Sequence, residues 1–450
     1  MPGARAALAL GVGLVLADSS VVVLALPEIY RELDVSVSAV VWVLIAFNLV
    51  LAAAAVPAAH LAGVAGPARL TVAGLVVFAV ASLACGVAPS IEVLIGARCL
   101  QAVGGAAAVC ASLELMPAVY GSERAAARAW AAAGAAGAAL GPGLGGLLTE
   151  LISWQAIFLF QIPAAAAVVV PLLGIGRAER ASGLATVAPG RPHVAACTAL
   201  GLVSAALAAA LFLVVLLLIE GWRLTPIAAA AAVTVLPICA LAAAPLGRRV
   251  PEVEARAAAG VILIAGGLTG LALLPKASVA LTFPPQALVG VGLALTLSAL
   301  TEAALAGRLS QAIHGGWTIA ARHAGVVAGL LVLTPVFTGD LEEEREHAEQ
   351  AGTAALLDAR LPPQDKLEIA DRIAARISEE GDKVPVIGPA FEPLPSEPAE
   401  RAETISLRAT IEDEVDRAAT HAFSASFLIA AGFALAALIP IAIARRTIEL

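Results

Sequence analysis

The chain has 450 residues, of which 60 % are hydrophobic and 14 % charged, with a mean hydropathy of +0.92 and a formal net charge of −8. A water-soluble domain is about half apolar and about a quarter charged, so this balance excludes one and points to a chain solvated by a lipid bilayer. The basic residues are dispersed in short loops, which argues against a nucleic-acid surface, and there is no Walker A loop, His-Glu-x-x-His, Gly-x-Ser-x-Gly or dinucleotide fingerprint to suggest an enzyme or a bound cofactor.

A membrane-crossing helix needs about 20 mostly apolar residues. Six such runs lie near 5–29, 37–60, 68–88, 91–116, 125–150 and 153–175, and six more near 195–219, 224–246, 256–275, 281–303, 314–338 and 421–444. The expected fold is therefore all-α, with twelve transmembrane helices in two six-helix bundles. One bundle covers 1–175, a polar linker covers 176–194 (Arg177, Glu179, Arg180, Pro189, Arg191, Pro192), and the second bundle takes 195–338 and 421–450. The chain runs from Met1 almost directly into apolar sequence without a small-residue cleavage site before Asp18, which reads as an uncleaved first span.

Lys and Arg in short loops set the orientation. Arg5, Arg69, Arg124, Arg128, Arg177, Arg180, Arg191, Arg248, Arg249, Arg256, Arg308, Arg445 and Arg446 fall on one side, against Arg31, Arg223 and Lys276 on the other. That places the protein in the cell membrane with both termini cytoplasmic. The region 339–420 then lies outside as an acidic helical insert, with about 21 acidic and about 9 basic residues. Two readings stand for it: a helical cap or solvated spacer, and a docking or cation-collecting module.

Ionisable groups inside apolar runs cost a few kcal/mol each and mark function. Asp18 in the first run and Arg98 in the fourth both fall about 20 Å from the inner face at 1.5 Å per residue, so they are at matching depth. One reading is a proton-coupling pair, with Asp18 taking and releasing a proton beside Arg98; the other is a static ion pair holding two helices in register. Arg322 and His323 in the eleventh run either face a cavity or bond to backbone carbonyls. Glu114, Glu220 and Glu302 sit near span ends and reach interfacial water. Asn48, Gln101 and Gln161 line the cavity or bond to neighbouring helices. Most of the five tryptophans fall at span ends, as an interfacial belt requires, while Trp130 and Trp317 are placed to stack on a substrate. Cys85, Cys99, Cys110, Cys197 and Cys239 lack metal-ligand spacing and read as small core residues, so no metal site is expected.

The fifth run holds Gly137, Gly141, Pro142, Gly145 and Gly146 within GAALGPGLGG. Such a density of glycine destabilises a soluble helix but lets membrane helices approach closely, and Pro142 leaves the Ala138 carbonyl without its helical donor. The ten residues fill every fixed position of G-x-x-x-G-P-x-x-G-G, and so resemble the antiporter signature of the major facilitator superfamily. Three other stretches support the resemblance. Residues 16–27 (LADSSVVVLALP) are similar to the helix-one pattern L-D-x-T-x-V-N-x-A-L-P of the drug:proton antiporter branch, with Val23 in place of Asn. Residues 98–106 (RCLQAVGGA) resemble R-x-x-Q-G-x-G-A-A, with Ala102 for Gly. Residues 322–329 resemble the late pattern R-Q-x-G-x-x-x-G, and supply Gly325 and Gly329. Two departures stand out. In the loop between helices two and three Gly63 replaces the family's Asp, and the branch's two extra linker helices are missing.

The resemblance implies a secondary transporter whose halves rock about a central cavity, with glycine-rich surfaces on helices five and eleven as gates. Its partners are then the bilayer, protons and a small amphipathic or drug-like substrate moved outward. The alternatives are an uncoupled facilitator or importer, and a degenerate transporter acting as a membrane receptor or scaffold.

Overall fold

The computed structural model describes residues 2–179, 191–305, 311–380 and 386–448, and all regular structure among them is helical. The linker residues Arg180 and Pro189, and Arg308, lie outside the described residues. The first half comprises α1 (Pro2–Val23), α2 (Leu26–Glu32), α3 (Val37–Ala65), α4 (Pro67–Gly86), α5 (Ile91–Tyr120), α6 (Glu123–Leu151) and α7 (Gln155–Glu179). The second comprises α8 (Val194–Leu216), α9 (Pro226–Val233), α10 (Val235–Ala243), α11 (Val253–Ala272), α12 (Val279–Leu305), α13 (Gln311–Asp358), α14 (Pro363–Glu380), α15 (Pro398–His421), α16 (Ser424–Ala436) and α17 (Leu438–Ile448). Twelve helical stretches among the described residues are long and apolar enough to cross a membrane.

Local chemistry sets where these helices begin and end. Ser36, Ser90, Ser122 and Thr225 each precede a helix and accept a hydrogen bond from the backbone N–H three residues on, which satisfies one otherwise unpaired donor at the membrane boundary. Gly66, at φ 90°, is the whole hinge between α3 and α4, a conformation that residues with a Cβ rarely adopt.

The boundaries correct the sequence reading in four places. The first span ends at Val23 and the chain restarts as the short α2. The eighth is split at Thr234 into α9 and α10. The eleventh does not stop at 338: α13 continues unbroken to Asp358, so the insert grows directly out of a span. The twelfth is entered from α15 through a break at 422–423. Residues 339–420 are not a spacer either, because Leu356, Leu361, Ile369, Ile387, Phe391, Leu407 and Ile411 form a separate buried cluster there.

The halves use the same packing scheme. In the first, α1 lies along α6 and α4 along α5; in the second, α8 lies along α13 and α11 along α12. Glycines make each contact possible. A Cβ on Gly137 would run into the Gly13 carbonyl, and one on Gly325 into the Gly201 carbonyl. A Cβ on Gly104 would sit 2.7 Å from the Gly74 oxygen, and one on Gly260 2.6 Å from the Gly292 oxygen. Lipid supplies no hydrophobic contrast, so this close backbone approach is what holds such helices together. For most of the glycines singled out in the sequence, the expectation that helices five and eleven offer glycine surfaces between the halves is therefore corrected. Gly137, Gly141 and Gly145 face α1, and Gly325 and Gly329 face α8, each inside its own half. Gly146 does face the other half, against Pro226 and Ala230 of α9, and on α13 Gly315 and Gly316 face Leu113 and Ala55 of the first half.

Between the halves, α3 packs on α13 and α6 on α9. One buried cluster runs through the second half and takes in Val21–Tyr30 and Val40–Ile45 of the first. The other fills the opposite end of the first half and takes in Ala312 and Ile319 of α13.

Candidate functional site

Asp18 of α1 and Arg98 of α5 form a direct ion pair, and both side chains are fully buried. Each belongs to a wider network. Gln161 Nε2 of α7 donates to Asp18 Oδ1 at 2.7 Å, Arg98 Nη1 donates to Gln101 Oε1 at 2.5 Å, and Arg98 Nε donates to the Val43 carbonyl at 3.3 Å. Gln101 Nε2 bridges to Gln161 Oε1 at 2.6 Å and to Ser82 Oγ of α4 at 2.8 Å. The guanidinium carbon lies 4.0 Å from the centroid of Phe47, whose negative ring face favours a cation. Five helices, α1, α3, α4, α5 and α7, thus meet in one network around the charged pair, which matches the equal depths read from the sequence.

This arrangement has a chemical consequence. Both Asp18 oxygens accept hydrogen bonds, one from Arg98 and one from Gln161. Arg98 does not depend on Asp18 alone, since Gln101, Val43 and Phe47 also hold its charge. A proton added to Asp18 would remove the ion pair and leave an arginine that still has partners.

A second polar contact crosses between the halves. His323 Nδ1 lies 2.6 Å from Asn48 Oδ1, and Asn48 Nδ2 donates to the Leu44 carbonyl at 2.8 Å. With its amide nitrogen so engaged, Asn48 accepts through Oδ1, so the His323 hydrogen sits on Nδ1. The neighbouring Arg322 is half-buried and has no hydrogen bond or ion pair among the described residues. On α13 it lies between the stripe of Ala321, Gly325 and Gly329 that faces α8 and the stripe of Gly316, Ile319 and His323 that faces the first half. It is thereby turned inward, away from exposed Ala324, Ala328 and Leu331.

The two tryptophans are placed otherwise than the sequence suggests. Trp130 is buried and donates through Nε1 to the Val109 carbonyl at 3.2 Å, so its indole is already engaged between α6 and α5. Trp317 is 40 % exposed, on the same outer stripe of α13 as Ala324 and Leu331. Glu302, read as reaching interfacial water, pairs with Arg256 at 2.6 Å.

Sequence reasoning missed Ser82, Phe47 and Phe158, whose ring centroid lies 5.7 Å from the Arg98 guanidinium carbon, because a serine or phenylalanine in an apolar run carries no signal of its own. It also missed the contacts that join the halves beside α2. There Arg31 Nη2 meets Glu220 Oε1 at 2.5 Å, and Glu150 Oε2 accepts from the Ile227 N–H at 2.6 Å, at the start of α9. Opposite charges at span ends on the same side were the available clue. Among the described residues no cluster of His, Cys, Asp and Glu suited to a metal ion occurs.

Comparison with known proteins agrees with this architecture. The Major Facilitator Superfamily model matches residues 8–334. The chain is 34 % identical over 162 residues to the multidrug resistance protein Stp of Mycobacterium tuberculosis, covering 35 % of this chain and 30 % of that protein. It is 38 % identical over 176 residues to the multidrug efflux pump LfrA of Mycolicibacterium smegmatis, covering 38 % of this chain and 34 % of that one. The matches therefore span about a third of these relatives' length. A solved bacterial homologue of the human lysosomal transporter Spinster, inward-facing and unoccupied, superposes with a TM-score of 0.60 at 15 % identity over 98 % of this chain and 97 % of that one. The family model covers more than half of the chain, the described residues hold twelve stretches fit to cross a membrane, and this chain belongs to the major facilitator superfamily of membrane transporters.

Proposed function

We propose that this transporter exports a small amphipathic compound in exchange for protons by alternating access, with Asp18 as the proton carrier. The supporting observation is the Asp18–Arg98 pair, fully buried and braced by Gln161 and Gln101. When Asp18 is ionised, the pair ties α1 to α5; when it takes a proton, that tie is lost and the arginine charge rests on Gln101, Val43 and Phe47. A change of charge at a helix contact is the kind of local event that biases a two-state equilibrium. The Asn48–His323 contact and unpartnered Arg322 lie where the two halves meet, and Arg322 suits an anionic group on the substrate. The efflux relatives favour outward transport of drug-like molecules over a receptor or scaffold role. The greater number of basic residues in the loops opposite α2 supports cytoplasmic termini, with residues 339–420 outside.

The test is fluorescein efflux from proteoliposomes with and without an imposed pH gradient. Wild-type release should follow the gradient, and Asp18→Asn should remove that dependence while the protein remains folded. Unchanged gradient-driven release by the variant would sink the proton-carrier role, and gradient-independent release by the wild type would favour an uncoupled facilitator.

A further inference from the structure

The insert contains a cavity of about 260 Å³ whose lining includes none of the residues of the Asp18–Arg98 network. It lies where α13, α14 and α15 meet, between the insert's own core and the end of the second half. Leu356, Ile387 and Ile411 of its wall belong to the insert core, while Leu341 packs against the large cluster of the transmembrane bundle. The base is fixed to that bundle by Arg223 on Asp416 at 2.5 Å and by Trp222 Nε1 on Thr420 Oγ1 at 3.0 Å.

The lining is almost wholly aliphatic, and its polar members are Glu344, Arg345, Glu349 and Thr353. Their charges do not cancel. Arg345 is bound to Glu349 at 3.1 Å, and Thr353 donates to the Glu349 carbonyl at 2.7 Å. Glu344 has no hydrogen bond or ion pair among the described residues. The walls thus carry one uncommitted carboxylate. Around them the insert holds 21 acidic against nine basic residues, a field that raises the local concentration of cations. A largely apolar pocket takes up the apolar body of a ligand, and a few placed polar groups fix the orientation of what enters. No aromatic side chain is in the wall, so the carboxylate is what meets the positive charge.

We propose that this cavity is a binding site for a small lipophilic cation, its apolar body between α13, α14 and α15 and its charge at Glu344. The site does not depend on the transport reading: it is formed by the insert and its base, and Asp18→Asn leaves it intact.

Equilibrium titration of the full-length protein in nanodiscs with ethidium, at uniform pH, tests it. Gly352→Leu and Ala374→Phe each project bulk into the cavity and should each remove one ethidium per chain, while Leu357→Phe, at an exposed position on the same helix, should not. Glu344→Gln should weaken ethidium at this site about fivefold and leave the uncharged analogue 6-phenylphenanthridine unaffected. Unchanged ethidium stoichiometry in both filling variants, with melting temperatures near wild type, would overturn the site. An equal loss of ethidium and 6-phenylphenanthridine in Glu344→Gln would overturn its preference for cations.

Discussion

The two six-helix halves share a scaffold and differ in chemistry. Gly13 on Gly137 in the first half has its counterpart in Gly201 on Gly325 in the second, and Gly74 on Gly104 in Gly260 on Gly292. Where the first half buries Asp18, Arg98, Gln101, Gln161 and Ser82 in one bonded network, the second places Gln286, whose amide donates to Thr282 at 2.8 Å, and an unpartnered Arg322. Repeats of this kind bring the substrate site to their interface. Close backbone contacts hold the helices together in both halves, whereas the fully buried ion pair stands in the first half.

The largest expected effect tests the shared part. Gly137→Val and Gly325→Val both place a branched side chain into a facing carbonyl, so each should prevent recovery of folded protein, to a similar degree in the two halves. A methyl group on Gly143 would meet nothing within 4 Å, and Gly143→Ala should fold normally. Detergent-solubilised yield by size-exclusion chromatography reads all three. A tolerated Gly325→Val beside a lethal Gly137→Val would show that the halves are not held by equivalent contacts.

The next effect concerns the part the halves do not share. Arg98→Met leaves Asp18 buried with one partner fewer, and removing one member of a buried pair costs about 3–5 kcal/mol. Asp18→Leu with Arg98→Met removes both charges and should recover more than half of that loss, measured by reversible SDS unfolding in mixed micelles. If the double variant is as unstable as the single, the network serves as structural register. Arg322→Gln should contrast with both. It breaks no bond among the described residues, so stability should stay within about 0.5 kcal/mol of wild type, while the affinity for fluorescein falls about tenfold or more through loss of a charge-assisted contact.

These differences also explain what the sequence revealed. Span count and the depth match of Asp18 with Arg98 were legible because both follow from rise per residue and bilayer thickness. GAALGPGLGG announced close packing but not the neighbour, and its glycines mostly face α1 within the same half. Trp317 was misplaced because tryptophan is at home both on a substrate and at the surface of a bundle, and only the azimuth on α13 separates the two. That the insert is helical was legible in the sequence, and Leu356, Leu361 and Ile369 form its core. Its cavity was not legible, since that depends on how α13, α14 and α15 cross.

The smallest effect concerns the contact between the halves beside α2. Arg31 and Glu220 are 42 % and 13 % exposed, so solvent screens their attraction, and a pair of this kind is worth about 0.2–1 kcal/mol. Burial pulls the Arg31 guanidinium down, but Glu220, Tyr30 and Glu28 outweigh it and raise the group above its ordinary value. Arg31 therefore stays charged at any pH the protein survives, and its side of the latch does not titrate. Arg31→Gln should shift the balance between closed and open arrangements of this end by at most about fivefold, visible as a modest longer-distance population between spin labels at Ser38 and Ile227. Glu150, which accepts from the Ile227 N–H at the start of α9, should keep most molecules closed in that variant. If Arg31→Gln alone opens this end completely, the apolar cluster shared by the halves contributes little to closure, and the ion pair governs it.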